Sequence, residues 1–219
     1  MTETIIPPTP SRAAYLDDGP RDKGWLTSEN PISLFETWLS KAGETEPNDP
    51  NAMSLATVDA NGQPDVRILL LKGLSEKGFV FYSNEESAKG QQLAETGKAA
   101  LCFHWKSCRR QVRVRGAVVA VSVAETDAYF AERARGSRIG AWASDQSRVV
   151  ASREAMIDRV QDVEARFVDK DVTRPPHWRG WCLVPEEIEF WQDGAFRLHD
   201  RLLFTKSEKG DWTKARLYP

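Results

Sequence analysis

Residues 53–72 constrain the fold most, because they predict two neighbouring antiparallel strands. Residues 53–60 (MSLATVDA) and 63–72 (QPDVRILLLK) flank Asn61-Gly62, a dipeptide that favours the tight turn of a β-hairpin. Short strands joined by turns favour an antiparallel sheet, and a sheet with many strands is expected to curl into a barrel. The same pattern predicts strands over residues 79–83, 99–105, 111–121, 181–184, 187–191, 197–204 and 212–217, with Asp193-Gly194 as a turn between two of them.

Helical patterns interrupt these strands. Pro31 follows Asn30 as a first helical residue should, and apolar residues then recur at helical spacing as far as Gly43. Further helices are predicted over residues 87–95, 125–133 and 153–168. We therefore predict a mainly β chain with flanking helices, of the α+β class. Because residues 1–30 are rich in proline, we expect a flexible N-terminal arm there and a single domain over residues 31–219.

Composition limits the classes of function. Thirty Lys and Arg side chains stand against 32 Asp and Glu, for a net charge of -2, which argues against a general nucleic-acid-binding protein. Cys102, Cys108 and Cys182 lack the C-x-x-C spacing and cannot all pair, so a disulfide scaffold is not expected and a reducing cytoplasm fits best. The sequence has no signal-peptide pattern and no apolar run of membrane-spanning length. We expect a cytoplasmic protein that binds neither membranes nor nucleic acids.

Three basic stretches suggest that the chain binds an anion. If residues 196–202 are extended, Arg197, His199 and Arg201 share one strand face, because side chains alternate along a strand. Residues 109–115 (RRQVRVR) also place basic side chains on one face, and residues 67–72 (RILLLK) flank an apolar run with two cations. A solvent-exposed sheet face is the ordinary alternative for each stretch. Three together favour an anionic ligand such as a phosphate.

Several common chemistries are excluded. Residues 90–99 resemble a phosphate loop only faintly, because the glycines are too far apart and Ala99 follows Lys98 where Ser or Thr is needed. The sequence has no G-x-S-x-G, G-x-G-x-x-G or H-E-x-x-H motif. Cys102, His104 and Cys108 match no usual zinc spacing, so no metal site is predicted.

Six motifs carry a resemblance to a known family. They are RILLLK at Arg67, FYSN at Phe81, QVRVRG at Gln111, IGAWASDQS at Ile139, IEFWQDGAFRLHDR at Ile188 and RLYP at Arg216. In this order and spacing the chain resembles the pyridoxine (pyridoxamine) 5'-phosphate oxidase family from about residue 31 to its C-terminus. The resemblance implies an FMN-binding split β-barrel that forms a homodimer, with FMN held at the interface between the subunits.

The resemblance also implies site residues. Those expected to contact FMN are Arg67, Ile68, Leu69, Leu70, Leu71, Lys72, Tyr82, Ser83, Lys89, Gln111, Gln146, Ser147, Trp191 and Arg201. Those expected to contact the substrate are Lys72, Tyr129, Arg133, Ser137, Arg197 and His199. A flavin phosphate carries about -1.5 to -2 charges, so arginine and lysine donors, with the amides at the start of a helix after Ser87, would suit it.

Specific roles follow from the resemblance. Lys72, Arg133 and Ser137 would bind a second phosphate, on the substrate. Arg197 would hold the pyridine ring, and His199 would be its hydrogen-bonding neighbour or proton partner, so these two are the expected catalytic residues. Arg12 and Tyr15 resemble a family R-x-x-Y motif that closes over the substrate.

Most of these residues also have an ordinary structural interpretation. Tyr129 and Arg133 have the spacing of any helix surface pair, and Trp191 could be a core residue. Ser137, Gln146 and Ser147 read as loop residues. Lys72 stands out because it closes an apolar run, where an unpaired lysine would be costly to bury.

One position departs from the family pattern. Ala88 stands where family members commonly place an arginine beside the lysine at the flavin phosphate. A hydrogen bond to a charged group contributes about 1.5 to 3 kcal/mol, so we expect weaker FMN binding unless another cation compensates.

The activity implied by the resemblance belongs to vitamin B6 metabolism. The C4' alcohol of pyridoxine 5'-phosphate, or the amine of pyridoxamine 5'-phosphate, would be oxidised by hydride transfer to the flavin, giving pyridoxal 5'-phosphate. Oxygen would then be reduced to hydrogen peroxide. Two alternatives stay open: an FMN oxidase resembling phenazine-biosynthesis enzymes, and a protein that only binds flavin or pyridoxal phosphate.

Overall fold

The computed structural model describes residues 11–13 and 22–219, which form two compact units. The larger unit contains residues 51–103 and 113–186, and the smaller unit contains the described residues up to 50, residues 104–112 and residues 187–219. Strands β5, β6 and β7 have residues in both. The helices are α1 (Pro31–Thr45), α2 (Ala88–Thr96), α3 (Val123–Glu132), α4 (Arg135–Ala143) and α5 (Arg153–Arg166). The strands are β1 (Ala52–Val58), β2 (Pro64–Leu70), β3 (Gly73–Ser75), β4 (Gly78–Asn84), β5 (Lys98–Trp105), β6 (Arg110–Ala120), β7 (Trp178–Gln192), β8 (Asp200–Lys206) and β9 (Trp212–Arg216).

The predicted hairpin is confirmed in the larger unit. Strands β1 and β2 pair in antiparallel register from Ala52 with Leu70 to Val58 with Pro64. The connection is a five-residue turn in which the Asp59 carboxylate accepts from the amides of Asn61 and Gln63. The strands of this unit follow the order β2-β1-β5-β6-β7-β4-β3. Its core contains Met53, Leu55, Phe79, Phe81, Leu101 and Phe103.

The smaller unit is built around the aromatic face of α1. The Asn30 side chain caps this helix by accepting from the amides of Ile32 and Ser33. Trp38 packs edge-on against Trp25 and Phe190, with ring centroids 5.0 and 5.2 Å apart. The end of β7 pairs with β8, and β8 pairs with β9, both antiparallel.

Two predicted strands are one. Residues 181–184 and 187–191 both belong to β7, which runs without a break from Trp178 to Gln192. Pro185 is buried and lies between two ladders: residues 178–183 pair with β4, and residues 187–192 pair with β8. A proline there removes no hydrogen bond from either ladder.

The predicted strand over residues 197–204 is wrong in its first half. Strand β8 begins at Asp200, and Ala195–Arg197 form a 3-10 turn in which Phe196 and Arg197 have φ values of 55° and 64°. The alternation that placed Arg197, His199 and Arg201 on one face therefore fails, because a turn does not alternate its side chains.

Two further sequence expectations fail in the structure. Helix α4 covers residues for which no helix was predicted, including Ser137. The run at residues 67–72 is only partly buried in the single chain: Leu71 is buried, but Ile68 is 66% exposed, its neighbour Val66 is 63% exposed, and Lys72 is exposed. Within the described residues β2 has one strand partner, β1, so it is an edge strand of the sheet.

Part of the predicted N-terminal arm is described. Gly24–Thr27 form a 3-10 turn with Trp25 buried, and the Trp25 Nε1 donates to Gln192 Oε1 over 2.6 Å. The single domain over residues 31–219 stays a prediction. In the part of the chain that the structure describes, no helix is long and apolar enough to span a membrane.

Candidate active site

A cavity of about 740 Å³ opens in the larger unit. Its walls come from β2, the end of β4, the start of α2, the corner between α3 and α4, and the turn after α4. The lining residues are Asp65, Val66, Arg67, Ile68, Leu69, Tyr82, Ser83, Asn84, Ala88, Lys89, Arg133, Ser137, Gly140, Ala141, Ser144, Gln146, Ser147 and Trp178. Ten of them were expected as site residues: Arg67, Ile68, Leu69, Tyr82, Ser83, Lys89, Arg133, Ser137, Gln146 and Ser147.

Arg67 is held by a polar network on the hairpin. Its guanidinium donates to Thr57 Oγ1 over 2.6 Å, to Asp65 Oδ2 over 2.5 Å and to Gln92 Oε1 over 3.3 Å. These contacts fix the side chain before any ligand arrives. Arg67 therefore supplies a preorganised positive charge to the cavity wall.

Lys89 is a buried cation beside Arg67. It lies in the first turn of α2 and is only 8% exposed, and its Nζ donates to Gln146 Oε1 over 2.8 Å and Ser87 Oγ over 3.2 Å. Burial, and secondarily the positive charge of Arg67, lower the pKa of Lys89 to about 8. A buried lysine whose direct contacts are neutral oxygens lacks a close anionic partner, so this end of the cavity suits an anion.

The start of α2 adds backbone donors to the same wall. Ser87 caps the helix, with its Oγ accepting from the Gly90 amide. Ala88 lines the cavity beside Lys89 and brings no charge. Helix N-termini favour anions, so α2 and Lys89 reinforce each other.

A third cationic side chain of the cavity, Arg133, lies among aromatic rings. Its guanidinium carbon is 4.9 Å from the ring centroid of Trp178 and 5.6 Å from that of Phe130. Burial lowers the pKa of this guanidinium, and its Nη1 has no hydrogen-bond partner in the described residues. The nearby ionisable group that acts on the pKa of Arg133 is Tyr129, whereas Arg67 and Asp65 act on the pKa of Lys89. The cavity thus has two electrostatically distinct positive groups.

The turn after α4 closes one side of the cavity. Gln146 reaches Lys89 through its side chain, and Ser147 has a φ of 72°, which places its backbone in the left-handed region. Helix α4 itself contributes Ser137, Gly140 and Ala141 to the lining. His177 Nε2 lies 3.0 Å from the Ala141 carbonyl oxygen, which ties the end of this helix to the residue before β7.

Several expected residues of the larger unit do not line the cavity. Leu71 is buried in the core and Lys72 is exposed beyond the end of β2. Leu70 is half-buried on that strand. Tyr129 contacts the cavity wall indirectly, because its ring stacks on Tyr82 at 4.1 Å between centroids.

The smaller unit holds the remaining expected residues. Trp191 and Arg201 face each other in the β7–β8 register, and Arg201 donates to Glu189 Oε1 over 2.8 Å and to the Tyr218 carbonyl over 2.8 Å. Gln111 is half-buried on β6. The contact with Glu189 gives Arg201 a buried carboxylate partner.

His199 ends the seven-residue connection between β7 and β8. Its ring lies 4.6 Å from that of Trp191, and the Gly194 amide donates to its Nδ1 over 3.1 Å. Asp193 Oδ1 is 3.2 Å from the same nitrogen. A neutral ring with its proton on Nε2 accepts from Gly194, and a ring with a proton on Nδ1 pairs with Asp193 instead. Arg197 is exposed two residues earlier.

The substrate-closing motif is only partly described. Arg12 is exposed and has helical backbone, and Tyr15 lies outside the described residues. Among residues 11–13 and 22–219, no three His, Cys, Asp or Glu side chains are placed to hold a metal ion together.

Sequence reasoning missed Trp178. It lines the cavity, is 6% exposed, and begins β7. An aromatic residue at the start of a strand reads as core, so no pattern indicated that one face of the indole meets a guanidinium. Asn84, Gly140, Ala141 and Ser144 were also missed, since their place in the lining depends on the unpredicted helix α4 and the end of β4.

Comparisons with known proteins agree with this architecture. Residues 39–167 match the family model described as pyridoxamine 5'-phosphate oxidase, and residues 178–219 match the one described as the C-terminal dimerisation region of pyridoxine 5'-phosphate oxidase. A pyridoxine/pyridoxamine 5'-phosphate oxidase of Hyphomonas neptunium is 59% identical over 220 residues, covering all of both chains. One from Mesorhizobium japonicum is 59% identical over 189 residues, covering 86% of this chain and 92% of the relative.

Solved structures share the fold. PhzG from Burkholderia lata, in complex with tetrahydrophenazine-1-carboxylic acid, has a TM-score of 0.83 at 30% identity, covering 88% of this chain and 94% of that chain. A pyridoxamine 5'-phosphate oxidase-related FMN binding protein from Nostoc punctiforme has a TM-score of 0.69 at 18% identity, covering 88% and 100%. The predicted class, a mainly β antiparallel split barrel with flanking helices, is confirmed. The chain belongs to the pyridoxine/pyridoxamine 5'-phosphate oxidase family and is an oxidase.

Proposed function

We propose that this chain oxidises pyridoxine 5'-phosphate and pyridoxamine 5'-phosphate to pyridoxal 5'-phosphate, with FMN as cofactor and oxygen as the final acceptor. The alcohol and one O2 give the aldehyde and one H2O2, while the amine also consumes one water and releases ammonia. The observation that carries the proposal is the pair of distinct positive groups in one cavity, because cofactor and substrate each bring a phosphate. The 59% identical relatives bear the name of this activity.

The residues around Lys89 fit the phosphate of FMN. Lys89 supplies a positive charge without a carboxylate in direct contact, and Arg67, which is paired with Asp65, supplies a second guanidinium donor group. The start of α2 supplies amides, and Gln146 and Ser147 lie in the adjoining turn. The pKa of Lys89 is lowered because burial disfavours its charge, and a phosphate would restore that charge. When bound, FMN would supply the two-electron acceptor for the oxidation.

Arg133 and Ser137 fit the phosphate of the substrate. The orphaned Nη1 of Arg133 is a buried donor, and such groups are expected to find a partner when the natural ligand binds. Ser137 offers a hydroxyl from the first turn of α4. Holding the phosphate tail fixes the pyridine ring for hydride removal, and orientation of this kind contributes strongly to catalysis.

Arg197 and His199 are the proposed catalytic residues. Arg197 would hold the pyridine ring, and His199 would accept or donate a proton at the substrate's C4' substituent. The Gly194 amide and the Asp193 carboxylate both lie within hydrogen-bond distance of His199 Nδ1, so this nitrogen has a partner whether it accepts or donates. Trp191, Arg201, Gln111, Leu70, Leu71, Lys72 and Tyr82 stay in the proposed binding set, and Arg12 and Tyr15 in the proposed closing motif.

A homodimer in the cytoplasm completes the proposal. The match of residues 178–219 to a dimerisation region supports a second copy of the chain, and the exposed apolar side chains of β2 are a surface that such a copy could cover. FMN would then lie at the interface. The three free cysteines, Cys102, Cys108 and Cys182, are consistent with a reducing compartment.

Anaerobic titration tests the function directly. The purified protein should be yellow, and adding pyridoxine 5'-phosphate without oxygen should bleach the flavin absorbance, which air should restore with release of hydrogen peroxide. A colourless protein that cannot be loaded with FMN, or a yellow one that neither B6 phosphate bleaches, would refute the proposal.

The phenazine-type oxidase is the second candidate, because PhzG is a close structural relative at a TM-score of 0.83. The presence of Arg133 and Ser137 in the cavity favours a phosphorylated substrate over it. Bleaching by a reduced phenazine carboxylate but by neither B6 phosphate would reverse that choice.

A further inference from the structure

We propose that Trp178 is a positioning residue that holds the Arg133 guanidinium ready for the substrate phosphate. This inference rests on the proposed function, since it assigns Arg133 to the phosphate. It adds to that function a residue outside the expected site set. Four observations within the larger unit carry it.

The first observation is how Arg133 is held. Its guanidinium lies over the rings of Trp178 and Phe130, at 4.9 and 5.6 Å from their centroids. No carboxylate among the described residues pairs with it. Cation–π contact is therefore the main fixed interaction of this side chain.

The second observation is that the cation–π contact leaves N–H donors of Arg133 available. A ring face meets the flat face of a guanidinium, whereas the N–H donors lie in the guanidinium plane. Arg133 Nη1 is buried and unpartnered, so in-plane donors remain for an anion. A carboxylate partner would have occupied these donors, but an aromatic partner orients the group without competing for them.

The third observation is that Trp178 itself is rigid. It is 6% exposed, its amide donates to the Pro175 carbonyl, and its own carbonyl accepts from Arg174 Nη1 over 2.7 Å. Tyr82 stacks on its ring at 5.0 Å with an interplanar angle of 5°, and Phe130 meets it edge-on at 5.0 Å. The indole therefore has little freedom to move when a ligand binds.

The fourth observation is the glycine beneath Tyr82. Gly180 pairs with Tyr82 across β4 and β7, and a Cβ there would lie 2.7 Å from Tyr82 Cε1 and 2.8 Å from Val121 Cβ. Any larger residue would push the tyrosine ring away from its place on Trp178. The stack of Tyr82 on Trp178 thus depends on a close approach that only glycine permits.

The test compares Trp178→Leu and Trp178→Phe in the FMN-loaded enzyme. Loss of one cation–π contact should raise KM for pyridoxine 5'-phosphate about tenfold in Trp178→Leu, with kcat within about twofold and FMN content unchanged. Trp178→Phe keeps a ring face and should stay within about threefold of wild type. If Trp178→Leu does not fold, Trp178→Met replaces it, because methionine fills space but lacks a ring face.

A double-mutant cycle separates positioning from general packing. If Trp178 acts through Arg133, adding Trp178→Leu to Arg133→Ala should raise KM no further. Additive effects, equal KM values for the Phe and Leu variants, or parallel loss of FMN would overturn the inference.

Calorimetric titration with inorganic phosphate distinguishes the two proposals. Phosphate binding that needs both Arg133 and Trp178, in a protein that oxidises neither B6 phosphate, would refute the proposed function and keep the inference. Oxidation with an unchanged KM in Trp178→Leu would refute the inference alone.

Discussion

The cavity of the larger unit and the loop of residues 193–199 in the smaller unit hold their functional side chains in opposite ways. Arg67 and Lys89 are fixed on a strand and a helix by hydrogen bonds to neighbouring side chains. Arg197 and His199 stand on a short turn in which Phe196 and Arg197 have positive φ and Arg197 is exposed. The proposed binding residues of the cavity are therefore preorganised by side-chain hydrogen bonds, whereas the proposed catalytic residues stand on a loop with an unusual backbone conformation.

The backbone of that loop is closely packed at Gly194. A Cβ on Gly194 would lie 2.0 Å from the Leu198 carbonyl oxygen, so the loop folds back on itself through a glycine. A positive φ at a non-glycine residue costs about 1 kcal/mol or more, which the surrounding structure must offset. Such strain often accompanies functional sites, and here it accompanies the residues that we propose to be catalytic.

The largest effect should be on kcat and should come from a substitution in the loop of residues 193–199. We expect His199→Ala to lower kcat about 100-fold or more while FMN content stays unchanged, because general acid–base groups contribute on that scale. Stopped-flow reduction of the flavin and the absorbance ratio of flavin to protein measure the two quantities. Leu198→Ala, at a side chain 70% exposed in the same loop, is the control and should leave both unchanged. Equal loss of turnover and of FMN would contradict the division of roles.

A smaller effect is expected when a charge is removed from the cavity. It should appear in the affinity for FMN. Lys89→Met keeps the length of the side chain but removes its charge, so the Kd for FMN should rise about 10- to 150-fold. Quenching of flavin fluorescence measures this Kd. The exposed Lys98 provides a matched control, since Lys98→Met should change the Kd less than twofold. An unchanged Kd in Lys89→Met would move the flavin phosphate away from α2.

Adding a cation beside Lys89 should strengthen FMN binding. Ala88→Arg places a guanidinium beside Lys89 on the cavity wall, and we expect FMN to bind about tenfold more tightly. Ala94→Arg adds the same charge at an exposed position of the same helix and should have little effect. If FMN affinity does not change in Ala88→Arg, Ala88 has not cost the site a phosphate contact.

The last prediction concerns the pH dependence of FMN binding. Below its pKa of about 8, Lys89 is protonated in free and bound protein, and FMN affinity should be constant. Above pH 8 the free protein loses this proton and binding must restore it, so Kd should rise with pH, by at most about tenfold per unit. Fluorescence titrations between pH 7 and 9.5 measure the slope. Lys89→Arg, which stays charged, should flatten it.

Sequence patterns predicted the fold where local rules decided the structure. The hairpin at residues 53–72, the Asn30 cap of α1 and most strands follow from alternation, turn residues and capping. The conformation of the loop of residues 193–199 was not predicted. The alternation of Arg197 and His199 with apolar residues in the sequence is the same whether the backbone forms a strand or an irregular turn. Helix α4 was not predicted because its sequence, RGSRIGAWA, contains two glycines and only a short apolar pattern.

The candidate site was predictable mainly through the family resemblance. Charge patterns pointed to residues 67–72, but only Arg67, Ile68 and Leu69 of that stretch line the cavity. The place of Trp178 depends on tertiary packing of Tyr82, Phe130 and Arg133, residues separated by up to about a hundred positions. Local periodicity contains no information on such contacts.

The smaller unit is assembled from three separate stretches of the chain, and this has a consequence for biosynthesis. Trp38 packs on Phe190, and Trp25 bonds to Gln192, across roughly 150 residues or more of intervening sequence. A ribosome must therefore release residues 190–192 before the aromatic face of α1 can be fully covered. Until then part of that face is exposed to chaperones and to other nascent chains, so slow translation of the segment before residue 190 should increase aggregation.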